Sequence, residues 1–169
     1  MSLFKFFKRA NRSFYGGASY CAFLLDDLKE YKESIAEILS EKQAGRSNSH
    51  AMNNLGVLYW EIGELEGARS SFAEAVALDP NNATAFKNIG MLAEKSGDFT
   101  KALTAFAEAL RISPRDYSLQ LNMAYLLLDL DRPSDSIPFF EAAIALGFDN
   151  EIVREKMALA TSKAAINDD

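Results

Sequence analysis

Three asparagines recur at a fixed stride. Asn54, Asn88 and Asn122 are 34 residues apart, and each stands two places before a small residue, Gly56, Gly90 or Ala124. A carboxamide offers a donor and an acceptor together. A row of such groups can hydrogen-bond the main chain of an extended peptide without reading its side chains. The same groups can equally bond the backbone around them, so both uses stand. Other reactive chemistry is sparse. His50, the single histidine, has no second metal donor near it at helical spacing, so it reads as a surface or groove residue. Cys21, the single cysteine, reads as a small buried hydrophobe. Trp60, the single tryptophan, is either a binding anchor or a part-buried residue at a helix end. Gly-rich phosphate loops, serine elbows and paired-histidine motifs are absent from the sequence. With no plausible catalytic set, the expectation is a protein that is not an enzyme and needs no metal or cofactor.

Composition narrows the classes further. A chain of 169 residues points to one domain, and 49% hydrophobic residues suffice for a core. Four prolines, nine glycines and one cysteine exclude a collagen-like chain, a disulfide framework and a cysteine-rich zinc module. The net charge of −6 argues against nucleic acid as a partner.

That charge is unevenly spread. The first 25 residues hold Lys5, Lys8, Arg9 and Arg12 and no acid, which leaves −10 for the remainder. The same stretch carries Phe4, Phe6, Phe7, Phe14, Tyr15, Tyr20 and Phe23. A secretory signal fits poorly, because Gly16, Gly17 and Ser19 interrupt the apolar run and no small-x-small site follows. Two readings remain for this stretch: an arm (1–14) whose aromatics lie on the domain, or a membrane-surface or organelle-targeting segment. No run approaches the ~18–20 apolar residues of a spanning helix. The expected location is cytoplasmic, with peripheral membrane or organelle as the alternative.

The elements that position the asparagines follow from the same stride. Asn54-Leu55-Gly56-x-x-Tyr59 aligns with Asn88-Ile89-Gly90-x-x-Ala93 and Asn122-Met123-Ala124-x-x-Leu127. Downstream, Ala68-x3-Phe72-x2-Ala75 aligns with Ala102-x3-Phe106-x2-Ala109 and Ser136-x3-Phe140-x2-Ala143. Asp79-Pro80 and Ser113-Pro114 close the first two units, and Phe148 stands where a third proline would fall. Gly63-Glu64 and Gly97-Asp98 suit a helix end and a new start, and Asn82 and Asp116 suit helix caps. Each unit is thus a helix, a turn and a second helix. Gly56, Gly90 and the alanines mark close crossings, and the phenylalanines fill the space between units.

A 34-residue period with Leu-Gly, then Ala, Phe, Ala and Pro at these offsets resembles the tetratricopeptide repeat family. The units are 49–82, 83–116 and a divergent 117–150. One helix pair cannot bury its own apolar face, so units must stack. The resemblance implies an all-α, right-handed α-solenoid of helix-turn-helix repeats with a C-terminal capping helix. In this family the first helices line the concave surface. Residues 15–48 are either a degenerate repeat or one N-terminal helix, since Leu24, Leu28, Tyr31, Ile35 and Ile38 repeat at 4-3-4-3 spacing. Pro133 and Pro138 predict that the second helix of the third unit starts near Ser134 to Ser136 or kinks at Pro138. Residues 151–166 predict the cap, with Asn150 at its N-terminus, an inner stripe of Val153, Met157, Ala160 and Ala164, and a frayed end within 151–169.

The resemblance also sets the expected function: a scaffold, adaptor or assembly factor that holds a protein or extended peptide in its groove. The asparagine row looks like the ladder in the repeat domains of O-linked N-acetylglucosamine transferases and kinesin light chains. Groove neighbours carried over by alignment are Asn53, Val57, Trp60 and Glu61 in the first unit. They are Lys87, Met91, Glu94 and Lys95 in the second, and Leu121, Tyr125, Leu128 and Asp129 in the third. The chaperone-tail clamp of cochaperones does not carry over: at the positions of Asn53, Val57, Asn88, Ser118 and Asn122 only Asn88 agrees, and no cationic cluster remains for a carboxylate. The helix 119–130 is apolar almost all round, so either Leu121, Tyr125 and Leu128 meet a partner or something from this chain covers them, the Phe-rich arm being a candidate; a core helix buried by self-association is the plainer reading. A membrane-recruited assembly factor and a self-associating structural protein are the alternatives.

Overall fold

The computed structural model describes residues 17–167, and side-chain surroundings from residue 27 to residue 166. The expectations for the arm 1–14, for Cys21 and for the last two residues lie outside that description. Among the described residues all regular structure is helical: α1 Gly17–Gln43, α2 Ser49–Glu61, α3 Leu65–Leu78, α4 Ala83–Lys95, α5 Phe99–Ile112, α6 Tyr117–Asp129, α7 Pro133–Ala145 and α8 Glu151–Asn167. The pairs α2–α3, α4–α5 and α6–α7 pack antiparallel, each pair stacks on the next, and α8 closes the stack against α7.

Local chemistry sets the helix boundaries. Asn48, Asn82, Asp98, Asp116 and Asn150 each accept a main-chain N–H in the first turn that follows them, at 2.8–3.1 Å. At the turns within pairs, Gly63 and Gly97 have φ of +83° and +78°, which a side chain disfavours. Asp131 fills the same place in the third pair at φ +54°, a conformation that Asp tolerates better than most residues.

The space between helices is filled from one side only. Phe72, Phe106 and Phe140 are fully buried. A Cβ placed on Gly56 would stand 2.5 Å from the Phe72 ring, and one on Gly90 would stand 2.5 Å from the Phe106 ring. Each glycine is the gap that its phenylalanine occupies. A third such pair was not legible in the repeat: a Cβ on Gly67 would stand 2.8 Å from the Tyr59 ring. Where the second unit has Lys101 in place of Gly67, it has the small Ala93 in place of Tyr59.

Several expectations meet a definite structure. Residues 17–43 form one uninterrupted helix, with no turn between the segments read as a helix pair. Between Ala18 and Gln43 the sequence offers neither Gly nor Pro to break it. Ile35 of α1 is buried with Met52 and Leu55 of α2, beside Ile38 and Leu39. Helix α7 begins at Pro133, one residue ahead of the expected window. Proline suits that first position because its absent N–H would have no helical partner there. Pro138 is accommodated within the helix, and Ser136 Oγ donates to the Pro133 carbonyl at 2.8 Å. In α8, Val153, Ala160 and Ala164 are buried and Met157 is half-buried.

The apolar helix α6 calls for the main correction. Leu121 and Leu128, read as groove-lining, are buried at 7% and 6% exposure in one cluster with Phe140, Val153 and Ala160. Its opposite side, Met123, Leu126 and Leu127, is buried with Ala93, Ala102 and Phe106. Helix α6 lies between the second unit and the cap, so its apolar faces are covered within the chain itself.

Candidate functional site

The first helices α2, α4 and α6 carry the candidate residues. The asparagine row is not the one that alignment alone suggests. Asn88 Nδ2 donates to Asn53 Oδ1 at 2.8 Å, and Asn53 is buried at 7% exposure. Asn54 is exposed and is not the partner of Asn88. This bond joins neighbouring units at an offset of 35 residues, one more than the 34-residue repeat. Asn122 is half-buried. Asn53 and Asn88 therefore bond each other, while Asn54 and Asn122 keep open amides.

Apolar and aromatic groups stand beside these amides. Val57, Met91 and Tyr125 are repeat equivalents; Met91 is 38% exposed and the other two are half-buried. Val57 and Trp60 lie over the cluster of Ala68, Phe72 and Leu92. The Trp60 ring meets Phe72 edge-on at 6.5 Å and 80°. Tyr125 meets Phe140 in the same manner at 5.4 Å. Lys95 Nζ sits 5.7 Å from the Trp60 ring centroid, so this ring already receives a cation. Lys87 Nζ reaches Ser118 Oγ at 3.4 Å, which bridges α4 to α6.

One edge of this face is acidic. Glu61 and Asp129 are the last residues of α2 and α6, and Glu94 is the penultimate residue of α4. Among the described residues none of the three is in an ion pair. A carboxylate at a helix C-terminus opposes the macrodipole, and α2 and α6 have no basic residue in the last turn. Burial, and then the charge of Asp129, hold the Glu94 carboxyl above its ordinary range. Burial, with Glu61, Asp27 and Glu30 behind it, pushes the Tyr31 phenol up to about 12. The edge is predominantly acidic, with Lys95 in the last turn of α4 as a cation beside Trp60. Sequence spacing named Glu61, Glu94 and Asp129 as neighbours but gave no sign that they act together. The signal lies in their shared place at helix ends.

Comparison with known proteins settles the lineage. Two tetratricopeptide repeat models match the chain, one over residues 49–82 and one over residues 87–150. The chain belongs to the tetratricopeptide repeat family. No curated protein sequence matches it. Solved structures share the fold at low identity. MamA aligns with a TM-score of 0.73 at 17% identity, over 92% of this chain and 89% of that one. YrrB, described as a TPR protein with an unusual peptide-binding site, aligns with a TM-score of 0.69 at 21% identity, over 78% and 68%. The first TPR of Spaghetti, bound to an HSP90 peptide, aligns with a TM-score of 0.64 at 14% identity, over 70% and 96%. The tetratricopeptide architecture makes this an all-α, right-handed α-solenoid with α8 as its C-terminal cap. No helix among the described residues is long and apolar enough to cross a membrane. No group of three or more His, Cys, Asp or Glu among them could hold a metal ion.

Proposed function

We propose that this TPR protein is a non-catalytic interaction module that holds an extended segment of a partner protein along α2, α4 and α6. The observation that carries the reading is the open chemistry of the first helices. The amides of Asn54 and Asn122 and the side chains of Trp60, Met91 and Tyr125 keep solvent access. Val57 and Lys87 flank them. The corresponding second-helix phenylalanines are fully buried. Free amides can pair with a peptide main chain, and neighbouring apolar groups can take alternate side chains. That YrrB has a peptide-binding site and that Spaghetti was solved with an HSP90 peptide supports the class of ligand. An acidic tail such as the HSP90 peptide suits this edge poorly, because Glu61, Glu94 and Asp129 would repel it.

The test is a peptide array probed with the intact chain, followed by titration of the retained peptides. Met91→Asp should weaken binding about tenfold or more, as loss of an anchor does, with the thermal midpoint unchanged; Trp60→Ala should weaken it likewise, with a lowered midpoint because its ring packs on Phe72. Equal affinity in wild type and both variants would remove the first helices as the binding face. A second reading, recruitment of the module to a membrane surface, rests on the basic and aromatic residues of 1–25. Co-sedimentation with anionic vesicles, with and without reversal of those charges, checks it.

A further inference from the structure

The acidic edge and the direction of α1 belong together. Ile35 packs with Met52 and Leu55, and the Tyr31 phenol feels Glu61, so α1 runs antiparallel to α2. Its N-terminal half therefore heads toward the edge where Trp60, Glu61, Glu94 and Asp129 lie. The 14 residues from Tyr31 back to Gly17 cover about 21 Å of helix. The 16 residues before Gly17 span up to ~50 Å when extended. Crossing three neighbouring helices takes about 20 Å. Returning those ~21 Å and then crossing takes about 40 Å, so the chain outside the described residues is long enough to turn back over α2, α4 and α6 with its first ten or so residues.

Its chemistry is also complementary. Residues 1–16 carry Phe4, Phe6, Phe7, Phe14 and Tyr15 with Lys5, Lys8, Arg9 and Arg12, and no acid. The face opposite offers the half-buried Trp60, the exposed Met91 and three carboxylates that form no ion pair among the described residues. Lys95 shows that the Trp60 ring accepts a cation at this place.

We propose that the basic aromatic segment of residues 3–10 docks in cis on the face formed by Trp60, Met91, Glu61, Glu94 and Asp129, and so occupies the peptide groove until a partner displaces it. This inference rests on the peptide-groove reading and names the first occupant of that groove. It accounts for the charge division within the chain: a positive terminus matched to a negative edge steers the segment onto the face and holds it loosely enough to leave. The segment and an incoming peptide compete for one surface, so docking weakens the apparent affinity for partners.

Trp60 is the only tryptophan, which makes its emission a reporter of the face in the full chain. Reversal of the segment (Lys5→Glu, Lys8→Glu and Arg9→Glu together) should roughly double acrylamide quenching of Trp60, because an aromatic cover is lost. Reversal of the edge (Glu61→Lys, Glu94→Lys and Asp129→Lys together) should do the same, and the two sets combined should restore the wild-type value. High salt should act like either reversal, since exposed pairs are screened. The segment reversal should also tighten binding of array-selected peptides severalfold. Quenching that the segment reversal leaves unchanged overturns the inference, as does quenching that rises on dilution of the wild type, which would mean docking between copies. Vesicle binding by the segment with Trp60 unaffected overturns it in favour of a membrane-surface arm. If Trp60 stays unchanged while Met91→Asp still weakens peptide binding, this inference falls and the groove reading stands. If Met91→Asp has no effect on peptides, both fall.

Discussion

Gly90 has no side chain because the Phe106 ring stands where one would be, 2.5 Å from the place of its Cβ. The ring is fully buried, so it cannot move aside without opening the junction of α4 and α5. Gly90→Ala should destabilise the protein by about 1–3 kcal/mol, the cost of overfilling a close-packed core, as read from a urea midpoint. Phe106→Leu should recover part of that loss in the double variant, and strict additivity would show that the two sites do not touch. At the same scale, Glu94 gives a pH dependence of definite sign. Its carboxyl is held above the ordinary value of 4.5 by burial and by Asp129, so the folded state keeps its proton longer than the unfolded chain does. Above the raised value both states are charged and the penalty is complete. Below the ordinary value both are neutral and the penalty is gone. Stability from this group therefore increases as pH falls from neutral through that window. Glu94→Gln should raise the urea midpoint at neutral pH and flatten the dependence, and a steeper dependence in the variant would contradict the assignment.

At the scale of elements, the helix ends do more than terminate helices. Asn82 Oδ1 accepts the Ala85 N–H at 2.9 Å, while its Nδ2 donates to Ser49 Oγ at 2.7 Å. Ser49 Oγ in turn donates to the Ala75 carbonyl at 2.8 Å. One buried amide thus ties the N-termini of α4 and α2 to the end of α3. The next unit keeps the cap, as Asp116, but has Ala83 where Ser49 stands, so the link is made once. Asn82→Ala should cost about 1–3 kcal/mol, since it removes a cap and leaves a buried hydroxyl short of a partner. Asp116→Ala should cost about 1 kcal/mol, since Asp116 caps α6 and accepts the part-buried Ser118 hydroxyl but ties no second helix end. Equal losses by calorimetry would show that the Ser49 link adds nothing. Helix α6 makes a related point. Its polar neighbours are few because both its flanks are interior, one against α5 and the other against α7 and α8.

For the molecule as a whole, stacking makes the ends dependent on their neighbours. Leu121 and Leu128 share one buried cluster with Phe140 and Ala143 of α7 and with Val153 and Ala160 of α8. Val153→Asp places a charge in that cluster and should loosen the third unit before the first two. Hydrogen exchange should show lost protection in α6, α7 and α8 with α2 and α3 retained. Uniform loss across all helices would mean that the array unfolds as one unit. The cap has a second apolar stripe, Ile152, Leu159 and Ile166, exposed at 62%, 44% and 70% and spaced by seven residues.

The period, the helix pairs, the close crossings at Gly56 and Gly90 and the caps at Asn82, Asp116 and Asn150 were all legible in the sequence. Each depends on contacts within a unit or on the backbone geometry of a single turn, and the 34-residue stride repeats them. The burial of Leu121 and Leu128 was not legible, because it depends on where α8 falls against α6. Nor was the pairing of Asn88 with Asn53 rather than Asn54, because alignment counts along the chain while hydrogen bonds form across the turn of the superhelix. Periodicity states which faces are apolar; only the packed structure decides which of them another helix covers and which carboxylates come to share one edge.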